Sequence, residues 1–185
     1  NGCIKVKIDL NNKIFNIWLN FYFRLNFLLI IDRLPQNYLP IEYSLYLHIS
    51  KGKPSFDACV TIAFKKVNTD EFDNEIYLNT HSNIDIKSIK QNDTELEYKI
   101  FYPKLIIFSE NKQIDFTSQP ITIEYSVSPN VFKKFGFYFF NGSYLTDFEP
   151  NGTRQLMPCF DEPFARSTFS VKLLIPIEMS AISNM

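Results

Sequence analysis

The amino-acid sequence predicts an all-β fold, an antiparallel β-sandwich, and three observations carry that expectation. Apolar residues alternate with polar ones far more often than they recur every third or fourth position. The chain favours strand formers, with 16% aromatic residues and 19 Phe against only 5 Gly. Turn-formers separate the alternating stretches at the spacing of an antiparallel sandwich.

Residues 14–31 stand apart from this pattern as an apolar leader. They are nearly all apolar, interrupted by Asn16, Asn20, Arg24 and Asn26, with Lys5, Lys7 and Lys13 upstream. The length and the flanking charge suit a signal anchor. Arg24 opposes it, because an arginine near the bilayer midplane costs about 2.5–3.5 kcal/mol while each Leu, Ile or Phe returns about 0.3–0.6. Residues 1–32 are therefore a leader with three readings: a signal anchor, a buried strand, or a misassembled N-terminus. A type II membrane or extracellular location follows from the first, and a cytoplasmic one remains open.

The strands follow in order. Ile41, Tyr43, Leu45, Leu47 and Ile49 share one face of a first strand, and Phe56, Ala58, Val60, Ile62 and Phe64 one face of a second, since strand side chains alternate. Further strands are expected at 75–79, 84–89, 96–101, 105–108, 121–127 and 168–175. Lys51-Gly52-Lys53-Pro54, Asn68-Thr69-Asp70, Gln91-Asn92-Asp93 and Ser128-Pro129-Asn130 supply the turns between them.

Composition excludes several classes of function. Lys+Arg at 19 against Asp+Glu at 20 leaves no basic excess for a phosphate backbone, so nucleic acid is not an expected partner. Cys3, Cys59 and Cys159 are odd in number and widely spaced, and are expected to be small buried hydrophobes instead of a disulfide framework or zinc ribbon. His48 and His81 belong to no H-E-x-x-H, so a zinc site of two His and one Glu cannot be assembled from known spacing, and the two are read as a strand residue and a turn residue. Three N-x-[ST] sequons, at Asn92, Asn141 and Asn151, fit a secreted or ectodomain protein, although Asn-Gly at two of them reads equally as a turn.

The densest chemistry lies in Thr146-Asp147-Phe148-Glu149-Pro150-Asn151-Gly152-Thr153-Arg154-Gln155-Leu156-Met157-Pro158-Cys159-Phe160-Asp161-Glu162-Pro163. Pro150, Pro158 and Pro163 fix φ and remove donors, so the stretch is expected to be a rigid loop outside any sheet. If the short piece from Asp147 to Glu149 is extended, both carboxylates point the same way and can hold an ammonium group or help hold a hard cation. A solvated acidic edge is the alternative reading. Asp161 and Glu162, between prolines, are expected to lock the loop by bonding its backbone or pairing with Arg154, whose guanidinium grips a carboxylate at two points. Cys159 is expected to be buried.

These motifs resemble the zinc aminopeptidases of the gluzincin class, the family that includes aminopeptidase N and glutamyl aminopeptidase. Arg33-Leu34-Pro35 followed by Pro40, Tyr43, Leu45 and Leu47 is similar to the family's R-L-P-x-x-x-x-P-x-x-Y-x-L-x-L. Gly136-Phe137-Tyr138 matches its G-[LF]-Y turn, and Ser183-Asn184-Met185 its S-N-M. Thr146 to Pro163 resembles T-[QD]-x-E-x-x-x-A-R-x-x-F-P-C-F-D-E-P, with Thr153 in place of Ala and Met157 in place of Phe.

The resemblance covers about residues 33–185 and implies a saddle-shaped β-sandwich, the N-terminal domain of such an enzyme, packed on a thermolysin-like catalytic domain of the same protein. It implies that Glu149 binds the free α-amino group of a peptide substrate and that Asp147 lines the pocket for the first side chain. Asp147 would either help hold a calcium ion that recruits acidic side chains or pair directly with Lys or Arg. The G-x-M-E-N loop and H-E-x-x-H helix of the family do not occur in these 185 residues. The resemblance therefore puts zinc in the parent enzyme, assigns no catalytic residue to this chain, and implies that the chain alone is inactive. It also implies that 33–185 is C-terminally truncated, leaving a sheet edge bare. The rival expectation is a non-catalytic β-sandwich module, descended from such an enzyme, that binds a peptide terminus or another protein.

Overall fold

Strand β2 (Phe56–Lys66) buries every second side chain: Phe56, Ala58, Val60, Ile62 and Phe64 face inward, while Asp57 and Lys65 face water. Val60 and Ile62 keep none of their surface exposed, and each contributes about 1.5–3 kcal/mol by leaving water. The same alternation builds the chain's other core strands in the computed structural model, which describes residues 33–67, 74–109 and 114–183. The leader, including Cys3 and the stretch 14–31, and the turn at Asn68-Thr69-Asp70 lie outside the described residues. Among those described, no helix is long and apolar enough to cross a membrane.

The remaining strands are β1 (Tyr38–His48), β3 (Glu75–Asn79), β4 (Ile84–Gln91), β5 (Thr94–Glu95), β6 (Glu97–Phe101), β7 (Lys104–Phe108), β8 (Ile121–Val127), β9 (Gly136–Phe140), β10 (Ser143–Asp147) and β11 (Thr168–Leu174). They form a six-stranded sheet in the order β11-β1-β2-β8-β4-β5, a three-stranded sheet β3-β7-β6 and the hairpin β9-β10. One hydrophobic core joins the two larger sheets: Val60, Ile62, Ile121 and Ile123 from one pack with Ile76, Leu78, Leu105 and Ile107 from the other. Leu34–Met185 is a single compact all-β unit, as the alternation predicted.

Four local differences from the sequence reading have physical causes. Ile41 is 45% exposed instead of sharing the inner face of β1, because a bulge between Pro40 and Glu42 shifts the register and turns Tyr38 and Pro40 inward. The strand expected at 96–101 is split. Leu96 is a buried corner whose N–H donates to the Ile89 carbonyl, and the chain passes there from the six-stranded sheet to the three-stranded one. Cys59 is half-buried on the outer face of β2, while Cys159 is buried. The pairing of β11 with β1 is parallel, with Tyr43 opposite Phe169 and Leu47 opposite Leu173.

That last pair leaves β11 at the margin of the six-stranded sheet with all seven residues exposed. Phe169 stacks on Tyr43 with ring centres 4.8 Å apart, so Phe169, Val171 and Leu173 continue the inner face of the sheet. No other described element covers them.

Candidate functional site

The site begins in the hairpin. β9 is a run of aromatics without alternation, so periodicity conceals it, but Asn141 (φ 49) and Gly142 (φ 78) form the primed two-residue turn that their identities favour. One face of the hairpin packs inward: Phe137 is 3% exposed, and Phe137 and Tyr144 meet the Phe56 ring at 6.3 and 5.0 Å. The other face carries Tyr138, Phe140, Leu145 and Asp147 away from that contact. Asp147 is the last residue of β10, opposite Gly136, and is exposed. The stretch expected to lie outside any sheet thus starts inside one, because no proline interrupts pairing before Pro150.

Phe148 turns back against the core, and Glu149 follows in an exposed turn. The regular extension that would align Asp147 with Glu149 therefore ends at Asp147. Among the described residues neither carboxylate has a hydrogen-bond or ion-pair partner. Asp147 and Glu149 are both exposed, and neither lines the cavity of about 430 Å³ bounded by Asn37, Tyr38, Glu75, Tyr77 and Phe160.

Two glycines set the position of the acids. The Gly152 N–H donates to the Phe148 carbonyl at 2.8 Å, and a Cβ on Gly152 would lie 2.7 Å from the Asp147 carbonyl oxygen and 3.1 Å from Gly136 Cα. Only a residue without a side chain permits that approach. Gly136 (φ +71) lies against the Gln155 side chain, which follows in the 3-10 turn Thr153–Gln155.

The second half of the loop is fastened to distant strands. Arg154 Nε donates to Asp161 Oδ2 at 2.9 Å, and the Arg154 backbone N–H reaches the same oxygen at 3.2 Å. Cys159 and Asn79 exchange backbone hydrogen bonds of 2.7 and 3.0 Å, an isolated antiparallel bridge. Asn79 Oδ1 accepts from the Asp161 N–H at 3.1 Å, Tyr43 OH accepts from the Phe160 N–H at 3.0 Å, and Glu162 Oε1 accepts from the Leu34 N–H at 2.7 Å. Pro158 is buried with Met157 and Cys159, and Pro163 is exposed where the chain leaves the loop. Burial, with Asp161 nearby, pushes the Cys159 thiol well above its ordinary range. Burial also pushes the Tyr43 phenol far above its ordinary range, with Cys159 adding to the effect, so both groups are neutral.

Sequence reasoning did not single out Asn79 or Asn83. Asn83 Nδ2 donates to the Ser128 and Gln155 carbonyls at 2.7 and 2.8 Å and holds the loop to the sheet. Both are polar residues beside turns, and nothing in their spacing distinguishes them from solvent-facing ones.

Chemically, two outward carboxylates on a fixed loop can pair with an ammonium or guanidinium group. Among the described residues no three His, Cys, Asp or Glu side chains converge to hold a metal ion, so these residues do not fit zinc.

A family model described as the Peptidase M1 N-terminal domain matches residues 39–185. Over 40 residues, 22% of this chain and 4% of the relative, the chain is 52% identical to glutamyl aminopeptidase of Mus musculus. Over 172 residues, 83% of this chain and 18% of the relative, it is 27% identical to endoplasmic reticulum aminopeptidase 1 of Rattus norvegicus. It spans less than a fifth of the length of either. The M1 zinc metallopeptidase of Deinococcus radiodurans shares its fold, with a TM-score of 0.61 at 19% identity over 76% of this chain and 33% of that one. Aminopeptidase A of Legionella pneumophila, in complex with aspartic acid, is 26% identical with a TM-score of 0.58, over 77% of this chain and 16% of that one.

Proposed function

Since the chain belongs to the peptidase M1 N-terminal domain family, we propose that residues 33–185 are the substrate-recognition and scaffold domain of a zinc-dependent aminopeptidase that removes N-terminal residues from peptides. The zinc and the hydrolytic groups belong, in this reading, to a catalytic domain of the same protein. The observation that carries the reading is the exposed, unpaired pair Asp147 and Glu149 on a loop immobilised by the Arg154–Asp161 pair and the Cys159–Asn79 bridge. The loop fixes the backbone from which each carboxylate projects, so binding a cation orders only its side-chain rotamers, and an exposed carboxylate is open to a partner that docks on this face.

Glu149 pairs with the α-ammonium of the peptide, which only a chain end possesses, so the enzyme trims from the terminus. Asp147 shapes the choice of the first side chain. Paired directly, it selects Lys or Arg, whose methylene stem can run over Leu145 and Tyr138 on the same hairpin face. Holding a calcium ion, it selects acidic side chains. The apolar neighbours support the first mode, and the identity to glutamyl aminopeptidase supports the second.

The sequons and the apolar leader support a membrane or extracellular location for the parent. The test is Glu149→Ala in the full-length parent, read as KM for free and N-acetylated peptides. Unchanged kinetics on free peptides would defeat the assignment. A transcript whose reading frame continues into H-E-x-x-H supports the enzyme, and a stop codon after Met185 supports a non-catalytic module that binds peptide ends.

A further inference from the structure

We propose that Asn141, at the tip of the β9–β10 hairpin, is an N-glycosylation site whose first sugar packs on the ring of Phe140. Asn141-Gly142-Ser143 is an acceptor sequence, and all three residues are exposed. The primed turn puts Asn141 at the outermost point of the hairpin, with Phe140 and Ser143 opposite each other just behind it. Phe140 is 39% exposed and sits on the outward face, so the core does not account for an aromatic there. Lys134 Nζ lies 3.5 Å from the ring centre, which marks the ring as a receptor for electropositive groups. The C–H face of a pyranose is weakly electropositive and can take the place of the lysine or use the opposite side of the ring.

The other two sequons lack this combination. Asn92 (φ 53) is also exposed in a turn, but Gln91, not an aromatic, precedes it. Asn151 lies two residues from Glu149, and the Gly152 that follows it is packed against the Asp147 carbonyl. At Asn141 a glycan stays clear of both acids, since the four steps from Ser143 to Asp147 span about 13 Å of strand.

The reaction is a glycosyl transfer from a lipid-pyrophosphate-linked oligosaccharide. A bond forms between Asn141 Nδ2 and the sugar C1 as the C1–oxygen bond to pyrophosphate breaks. The amide gives up one proton, lipid pyrophosphate leaves, and nothing is oxidised or reduced.

The experiment is peptide mapping of the full 185-residue chain, made behind a cleavable secretory signal in eukaryotic cells and recovered from cells and medium. The expected result is a glycosylated Asn141 peptide, converted to Asp by glycan-releasing amidase, and the loss of that glycan in N141Q and S143A. The glycosylated chain is expected to melt above its amidase-treated form, and Phe140→Ala to abolish the difference. Phe140→Leu, which keeps the bulk and removes the aromatic face, gives the same reading if the alanine variant does not fold. An unmodified Asn141 peptide overturns the proposal, as does a glycan that raises the melting temperature equally with and without the aromatic ring.

Discussion

Arg154 and Asp161 are joined Nε to Oδ2 at 2.9 Å, and their side chains keep only 13% and 7% of their surface in water. Seven residues apart, they close the second half of the loop, the part that follows Glu149. The dry surroundings make the pair costly to break singly, because either partner left alone is a charge without compensation.

Arg154→Ala is therefore expected to destabilise the domain by about 3 kcal/mol, and the double change Arg154→Met with Asp161→Leu by clearly less. Urea denaturation with both variants measures this. Equal losses in the single and double variants would mean that packing, not charge, holds the loop.

Tyr43 and Cys159 give the domain an alkaline weakness. Burial raises both of their pKa values, so the folded state keeps these protons to higher pH than the unfolded state does. The unfolded chain binds fewer protons there, and stability falls as pH rises past about 9 to 10, where an unfolded thiol and phenol ionise. Urea midpoints between pH 7 and 11 measure the decline. Tyr43→Phe is expected to lessen it without abolishing it, because burial raises the Tyr125 phenol and the Cys159 thiol as well, while costing about 1–3 kcal/mol at neutral pH because the Phe160 N–H loses its acceptor.

The glycines separate contact from conformation. Gly152→Ala drives a Cβ onto the Asp147 and Phe148 backbone and is expected to cost about 1–3 kcal/mol. Gly142→Ala meets nothing within 4 Å and is strained only by φ +78, an expected loss of about 1–2 kcal/mol. Melting curves rank the two, and of the pair only Gly152→Ala should also impair substrate binding in the parent, since it alone displaces the acids.

Glu149→Ala in the parent is expected to raise KM for free-amino peptides by roughly tenfold to a hundredfold, the equivalent of about 1.5–3 kcal/mol for a lost charged hydrogen bond. N-acetylated peptides, already without the ammonium, should lose nothing further. Paired KM measurements decide it.

Asp147 is tested by cleavage of Glu, Lys and Leu substrates with calcium and with a chelator that spares zinc. Direct pairing predicts a calcium-independent preference for Lys that Asp147→Asn removes. A calcium-dependent preference for Glu identifies the other mode.

Much of this molecule is legible from local pattern. The inward faces of β2 and β8, the Asn141-Gly142 turn and the clustering of acids and prolines after Thr146 depend on neighbours one or two positions apart, and alternation records such neighbours directly. Long-range pairing is different in kind. The bulge that expels Ile41, the parallel union of β11 with β1 and the anchoring of the acidic loop at Asn79, Tyr43 and Leu34 join residues up to 128 positions apart. A backbone N–H or carbonyl accepts any partner the chain folds against it, so side-chain identity prescribes a strand's face, and packing of the whole domain selects the strand beside it.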